Sequence, residues 1–178
     1  GSTTPGRVGP VNESPAYRFC PYDAGPLRGS PPTCDRCGFT DYQNPKPGVG
    51  ILVVDGRRVL LARRAAEPAK GAWDIPGGFV EAGESAEDAV VREAKEEMSV
   101  DVRVVGYLGS APDVYGDRGA PTLTMCYLVE VVSGEPRARD DVASLEWVDL
   151  DAPPERMAFA HQPRVLGWAR ERAAGRPG

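Results

Sequence analysis

The sequence has no apolar run long enough to cross a bilayer. Its longest, Val49 to Val54, is interrupted by Gly50 and falls far short of the ~20 residues a membrane helix needs. Near the N-terminus no basic segment leads into an apolar one, so the pattern of a secretory signal is missing and a cytoplasmic location is expected. The chain lacks net positive charge: 21 Lys and Arg against 26 Asp and Glu give −5. That balance gives no general attraction for nucleic acid or an anionic membrane, although an anionic substrate is compatible with it where metal ions screen the site. Internal repeats are absent. Cysteine is scarce, with only Cys20, Cys34, Cys37 and Cys126. Without a secretory signal these read as reduced or metal-bound thiols and not as a disulfide framework.

What is present suits a globular protein with a core of ordinary size. The 178 residues are 41% apolar and 26% charged, enough for one domain with a small appendage. Glycine and proline make up 17 of residues 1–50 but only 22 of the remaining 128, so the composition shifts near residue 45. The chain therefore divides into a disordered tail over 1–16, a cysteine-bearing segment over 17–44 and a main domain over 45–174. Within the main domain, 48–54 and 58–64 read as strands of a hairpin turning at Asp55-Gly56. Residues 65–77 read as a loop, with a short strand over 77–80. Strands are expected over 100–108, 123–132 and 145–150, with a loop at 109–121. Helices are expected over 84–98, capped by Ser85 with Asp88 in the capping-box position, and over 164–174, which turns Val165, Trp168 and Ala169 inward.

The first helix is unusually acidic near its end. At roughly 100° per residue, Glu93, Glu96 and Glu97 share a face and continue a partly apolar stripe through Ala86, Ala89 and Val90. Like charges at this spacing repel, and acids near a helix C-terminus oppose its dipole. Three such carboxylates call for a cation, and an oxygen-rich cluster favours Mg²⁺, Mn²⁺ or Ca²⁺. A solvated acidic face is the plain reading of such a cluster in isolation, but the preceding residues change it. Gly78, five residues, Glu84, seven residues and then Arg92-Glu93-Ala94-Lys95-Glu96-Glu97-Met98-Ser99-Val100 resemble the Nudix box, G-x5-E-x7-R-E-U-x-E-E-x-G-U, where U is a bulky aliphatic residue. Two positions depart from it: Ala94 is smaller than the usual aliphatic residue, and Ser99 stands where glycine normally closes the helix in a left-handed conformation.

The resemblance covers roughly residues 46–172. It implies an α/β fold, the Nudix α/β/α sandwich, here preceded by a small zinc-ribbon-like segment. It also implies metal-dependent hydrolysis of a diphosphate joined to a nucleoside, as in ADP-ribose, FAD or a related dinucleotide. By the same resemblance Glu93, Glu96 and Glu97, with the carbonyl of Gly78, bind Mg²⁺ or Mn²⁺. Glu93 and Glu96 serve catalysis, and Arg92 pairs with Glu84 to support the loop. Glu81 is an additional acid often found in such boxes. Divalent cations neutralise the phosphates and activate water, and a carboxylate accepts the proton. Glu135, Asp140 and Asp141 are candidates for a base outside the box.

Cys20-Pro-Tyr-Asp23 and Cys34-Asp-Arg-Cys37-Gly38 resemble the two knuckles of a zinc ribbon, with Asp23 where a fourth cysteine is usual. Cys20, Asp23, Cys34 and Cys37 are thus candidate ligands of a structural Zn²⁺. A similar ribbon precedes the catalytic domain of some NADH, FAD and ADP-ribose hydrolases of the family. The S-Q-P-W-P-F-P-x-S signature of the NADH enzymes is not found here. For the substrate, Trp73 and Tyr115 are candidate stacking residues, and Arg63, Arg64 and Lys70 candidate phosphate contacts. His161, in Ala158-Phe159-Ala160-His161, is read as structural or capping, and Cys126 as a buried thiol. The partners expected are a nucleotide-type small molecule and a second copy of the chain in a homodimer, with no membrane and no nucleic acid. The competing reading is a non-hydrolytic Nudix module that senses a nucleotide and regulates a partner.

Overall fold

The computed structural model describes residues 17–42, 44–116 and 119–175; the tail expected over 1–16 lies outside the described residues. Two short strands, β1 (Leu27–Arg28) and β2 (Thr33–Cys34), form an antiparallel pair in the cysteine segment. The main sheet contains β3 (Lys46–Asp55), β4 (Arg58–Arg64), β5 (Trp73–Asp74), β6 (Asp101–Tyr115), β7 (Ala120–Ser133) and β8 (Val142–Asp149). Its order is β5-β4-β3-β7-β6, with β8 also pairing β4. β3 and β7 run parallel and every other pairing is antiparallel. Two helices, α1 (Ala86–Met98) and α2 (Gln162–Ala174), complete the elements of the described residues.

The three layers follow from strand periodicity. Along β3, Val49, Ile51 and Val53 pack with Ala89, Val90, Ala94 and Met98 of α1. Leu52 points the other way, joining Leu61, Cys126 and Leu128 against Val165, Leu166 and Ala169 of α2. Alternate residues of a strand face opposite sides of the sheet, so a strand covered on both faces reads as a continuous apolar run. Cys126 is fully buried in the α2 layer.

Helix α1 begins and ends as its sequence dictates. Ser85 and Asp88 form a reciprocal capping box, and Ser99 takes the left-handed conformation, φ 60°, usually given to glycine. The structure departs from the sequence reading at two loops. The expected loop at 109–121 is largely strand, because β6 and β7 stay paired out to Tyr115 opposite Ala120. Gly109 marks an irregularity inside β6 and not its end: the register shifts between Tyr107 and Gly109, as it does between Val104 and Gly106, where the ladder bends, and the turn comes only at Gly116. Residues 77–80 form no strand beyond an isolated bridge from Phe79 to Gly48, whereas Trp73 and Asp74 do pair with β4. The segment 76–80 is instead pinned along β3: Ile51, Val49 and Val80 donate their N–H groups to the carbonyls of Pro76, Gly78 and Pro47. Among the described residues no helix is long and apolar enough to cross a membrane.

Candidate active site and cysteine cluster

The pinned segment and α1 form one wall of a cleft of about 420 Å³. Eight acidic side chains line it, Asp74, Glu81, Glu93, Glu96, Glu97, Asp113, Asp140 and Asp141, against the guanidinium groups of Arg64 and Arg92. Such an excess of negative charge suits hard divalent cations.

Glu97 is only 8% exposed, and its Oε2 accepts the Gly77 N–H at 2.8 Å. Burial pushes its carboxyl up to about 8; the Gly77 hydrogen bond opposes this, while the charges of Glu93, Asp74 and Asp141 add to it. Burial is also the main cause raising Glu93 above its ordinary value, with Arg92 opposing. Arg92 does more than pair with Glu84. Its Nη2 reaches Glu84 Oε1 at 2.7 Å and the Phe79 carbonyl at 3.0 Å, while Nη1 lies 2.8 Å from Glu93 Oε1 and 3.1 Å from Glu96 Oε2. One guanidinium thus ties the loop to the helix and partly neutralises two of the three helix carboxylates. The structure brings Glu93, Glu96 and Glu97 into one cleft, with Glu93 and Glu96 turned to Arg92 and Glu97 to a backbone amide.

Gly78 stands against this wall. A Cβ there would lie 2.1 Å from Glu93 Oε1, so only glycine leaves that carboxylate its place. Its carbonyl accepts the Val49 N–H at 2.8 Å. The hard oxygen donors and the charge excess therefore fit divalent metal.

Of the three base candidates, Asp140 and Asp141 line the cleft. Their loop is fixed by hydrogen bonds from the Arg139 N–H to the Glu97 carbonyl and from the Ala65 N–H to the Asp141 carbonyl. Glu135 is highly exposed, is bonded to Arg137 and does not line the cleft. Tyr115 lines it; Trp73 and Arg63 do not. The Arg63 guanidinium lies over the Trp73 ring, 3.6 Å from its centroid. Strand alternation explains this placement. Arg64 and Asp74, one residue along from each, face the cleft and pair at 2.6 Å, and so Arg63 and Trp73 face away.

The sequence reading did not identify Asp113, Phe159 and Gln162 as cleft residues, although all three line it. Asp74 accepts hydrogen bonds from Arg64 and from the Gln162 side chain. His161 occupies the N-cap position of α2, but its side chain makes no capping bond. It bonds Asp113 instead, with Nδ1 2.7 Å from Oδ2. Strand parity was the available signal for Asp113, and it was obscured by reading residues 109–121 as loop.

The cysteine segment forms a compact donor set. The ligand atoms of Cys20, Asp23, Cys34 and Cys37 all lie within 4.8 Å of one another. Cys20 Sγ is 3.5 Å from Cys37 Sγ, and Cys34 Sγ is 3.4 Å from Asp23 Oδ1. A tetrahedral Zn²⁺ with Zn–S of ~2.3 Å separates its ligands by about 3.8 Å, so the four atoms fit such an ion. Both knuckles turn alike: Ala24 and Gly38, each four residues after a leading cysteine, have positive φ. The Gly25 N–H holds Asp23 Oδ1 at 2.8 Å, orienting the carboxylate that stands in for a thiolate.

With this geometry in view, comparison with known proteins gives the family. Residues 44–168 match the NUDIX domain model. The chain belongs to the Nudix family. It is 36% identical over 131 residues to the ADP-ribose pyrophosphatase of Methanocaldococcus jannaschii, covering 72% of this chain and 76% of that protein. It is 38% identical over 123 residues to the NAD-capped RNA hydrolase NudC of Pseudomonas aeruginosa LESB58, covering 68% of this chain but only 42% of that protein. A NUDIX hydrolase structure from Nitrosomonas europaea superposes with a TM-score of 0.70 over 90% of this chain and 94% of the other, at 23% identity, a likeness of fold alone. The chain is thus a Nudix hydrolase, and enzymes of this family depend on divalent metal.

Proposed function

We propose that this Nudix hydrolase cleaves the diphosphate of ADP-ribose or a closely related dinucleotide with Mg²⁺ or Mn²⁺ held by Glu93, Glu96, Glu97 and the Gly78 carbonyl. The observation that carries this reading is one cleft lined together by the box carboxylates Glu93, Glu96 and Glu97 and by the aromatic rings of Phe79, Tyr115 and Phe159, with eight acids in all. The 36% identity to an ADP-ribose pyrophosphatase supports the choice of substrate. When bound, the cations neutralise the phosphates and lower the pKa of the attacking water. The protein's own groups do the rest. The Gly77 N–H fixes Glu97. Arg92 holds Glu84, Glu93 and Glu96 to the loop. Asp140 or Asp141, on a loop braced against the end of α1, accepts the proton released by water. The products are two phosphate monoesters, AMP and ribose phosphate from ADP-ribose.

A panel of ADP-ribose, FAD, NADH, nucleoside triphosphates and RNA bearing an NAD cap, each with Mg²⁺ or Mn²⁺, tests this. ADP-ribose is expected to give the highest kcat/KM. Preference for capped RNA would transfer the reading to the chemistry named for the NudC relative. Tight binding without turnover across the panel would favour a nucleotide sensor.

We also infer that residues 17–44 form a distinct unit built around Zn²⁺ on Cys20, Asp23, Cys34 and Cys37. Metal analysis is expected to find about one zinc per chain. Cys34→Ser is expected to lose it and to lower the melting temperature, because a segment with so little core depends on its metal. A zinc-free preparation whose melting is unchanged by chelator would overturn this.

A further inference from the structure

The carboxylate wall uses only part of the cleft. Elsewhere in it lies a buried pair that the hydrolytic chemistry leaves idle: Asp113 from β6 and His161 from the head of α2, with side chains 5% and 8% exposed. Three donors converge on Asp113. Oδ2 takes the His161 backbone N–H at 3.0 Å and ring Nδ1 at 2.7 Å, and Oδ1 takes the Val114 N–H at 2.7 Å. Burial works against the charge, but the hydrogen bonds from His161 and Val114 outweigh it and hold this carboxyl below its ordinary value. An ionised carboxylate can only accept, so Nδ1 carries the ring proton. Nε2 is then the nitrogen left for the cleft that His161 lines, and in the neutral ring it is an acceptor.

The surroundings of His161 are aromatic. Its ring stacks on Phe159 at 6.3 Å and 23°, Phe159 stacks on Tyr115 at 5.8 Å and 24°, and Tyr115 meets Phe79 edge-on at 5.3 Å. All four rings line the cleft. The row runs from Phe79, next to Gly78 and the carboxylates, to His161 at its other end. The Arg64 guanidinium also lies over the Phe159 ring, 5.3 Å from its centroid, so a ligand whose phosphates lie at the glutamates can set a flat heterocycle against this row, with its edge at His161. Aromatic faces provide area and tolerate any flat ring, whereas a positioned acceptor in a buried site discriminates by what the ring edge carries.

We propose that His161, positioned by Asp113, determines base specificity: Nε2 accepts a hydrogen bond from the exocyclic amino group of a purine set against this aromatic row. This rests on the reading of the cleft as a nucleoside-diphosphate hydrolase site. It selects adenine, whose 6-position donates, over hypoxanthine, whose 6-position accepts and would meet Nε2 lone pair to lone pair.

The test compares ADP-ribose with its hypoxanthine analogue. The wild-type enzyme is expected to favour the adenine compound by at least ~10-fold in kcat/KM, as befits a missing partner in a buried polar contact. His161→Phe keeps a flat ring beside Phe159 but has no nitrogen. It is expected to bring the two substrates within ~3-fold of each other, chiefly by raising KM for the adenine compound. Equal use of both substrates by the wild-type enzyme would overturn the inference without any variant and would leave the diphosphatase reading standing. Turnover of neither would overturn both. A fall in kcat shared by both substrates in His161→Phe, with loss of one limb of the pH–rate profile, would make His161 a proton-transfer group and overturn the specificity role. So would a variant that melts like wild type and keeps the wild-type preference.

Discussion

Glu97→Gln is expected to lower kcat at least ~10²-fold, about 2.7 kcal/mol of transition-state stabilisation, while leaving the fold intact. Glutamine has nearly the shape of glutamate, and its amide oxygen can still accept the Gly77 N–H that now bonds Oε2. What it removes is the charge, at a position only 8% exposed, where an ionised group acts on a cation through little intervening water. Because the metal-free site already gathers Glu93, Asp74 and Asp141 around Glu97, neutralising this side chain also relieves repulsion. The metal-free variant is therefore expected to melt no lower than wild type at pH 8, which separates loss of chemistry from loss of structure. Steady-state kinetics with Mg²⁺ and Mn²⁺, beside a thermal melt in chelator, measure both. Wild-type turnover in the variant would remove Glu97 from the metal site.

The box helix was legible in detail because its signals are local. The Ser85–Asp88 capping box, the buried stripe of Ala89, Val90, Ala94 and Met98 and the left-handed Ser99 depend on neighbours within a few positions. So does the Arg92–Glu84 pair, since the loop that carries Glu84 runs directly into α1. The hairpin of β3 and β4 forms as expected, but its turn is Gly56-Arg57, one residue beyond Asp55-Gly56, because Asp55 stays in β3 opposite Arg58.

The rest of the cleft lining was poorly legible because it is assembled from distant parts. Asp113 and His161 are 48 residues apart, and Asp74 and Gln162 are 88 apart. Glycine and proline in 109–121 were read as a loop, which hid the alternation that turns Asp113 inward. The assignment of Arg63 and Trp73 to the substrate shows the cost of a one-residue error in a strand. Side-chain direction reverses at each step, and the cleft receives Arg64 and Asp74 in their place. The cysteine segment lay between these cases: the spacing singled out Cys20, Asp23, Cys34 and Cys37 together, and only the fold shows their donor atoms gathered within 4.8 Å of one another.

The metal-free enzyme is expected to lose stability as the pH rises from about 5 to 8.5, and Mg²⁺ or Mn²⁺ to restore it. The sign follows from Glu97. Burial foremost, and then nearby negative charge, lifts its carboxyl from an ordinary value of 4.5 to about 8. Between those values the folded protein holds a proton that the unfolded chain has released, so the free energy of unfolding falls with increasing pH. The stability tied to this proton is fully present below about 4.5 and is lost by the time the pH passes 8. Its size is on the order of 5 kcal/mol. Glu93, also raised by burial, acts in the same direction. Asp101, held low by Lys95 and Ser133, and Glu84, held low by Arg92, act oppositely. Their contribution is lost only as the pH falls through the carboxylate range, so the metal-free protein is expected to be most stable near pH 5. A divalent cation binds the ionised carboxylates of the folded state and stabilises it by mass action, ~2.7 kcal/mol at a hundredfold excess over Kd. For a chain of this length that is a rise of roughly 5–10 °C in Tm, largest at alkaline pH and small near pH 5, where the proton competes with the metal. Melting curves from pH 5 to 9 in chelator and in 5 mM Mg²⁺, a concentration on the order of a hundred times a mid-micromolar Kd, follow both effects, and Glu97→Gln is expected to flatten the chelator curve. A metal-free Tm that stays level or climbs from pH 5.5 to 8.5 would show that Glu97 is ionised in the folded protein without any cation beside it.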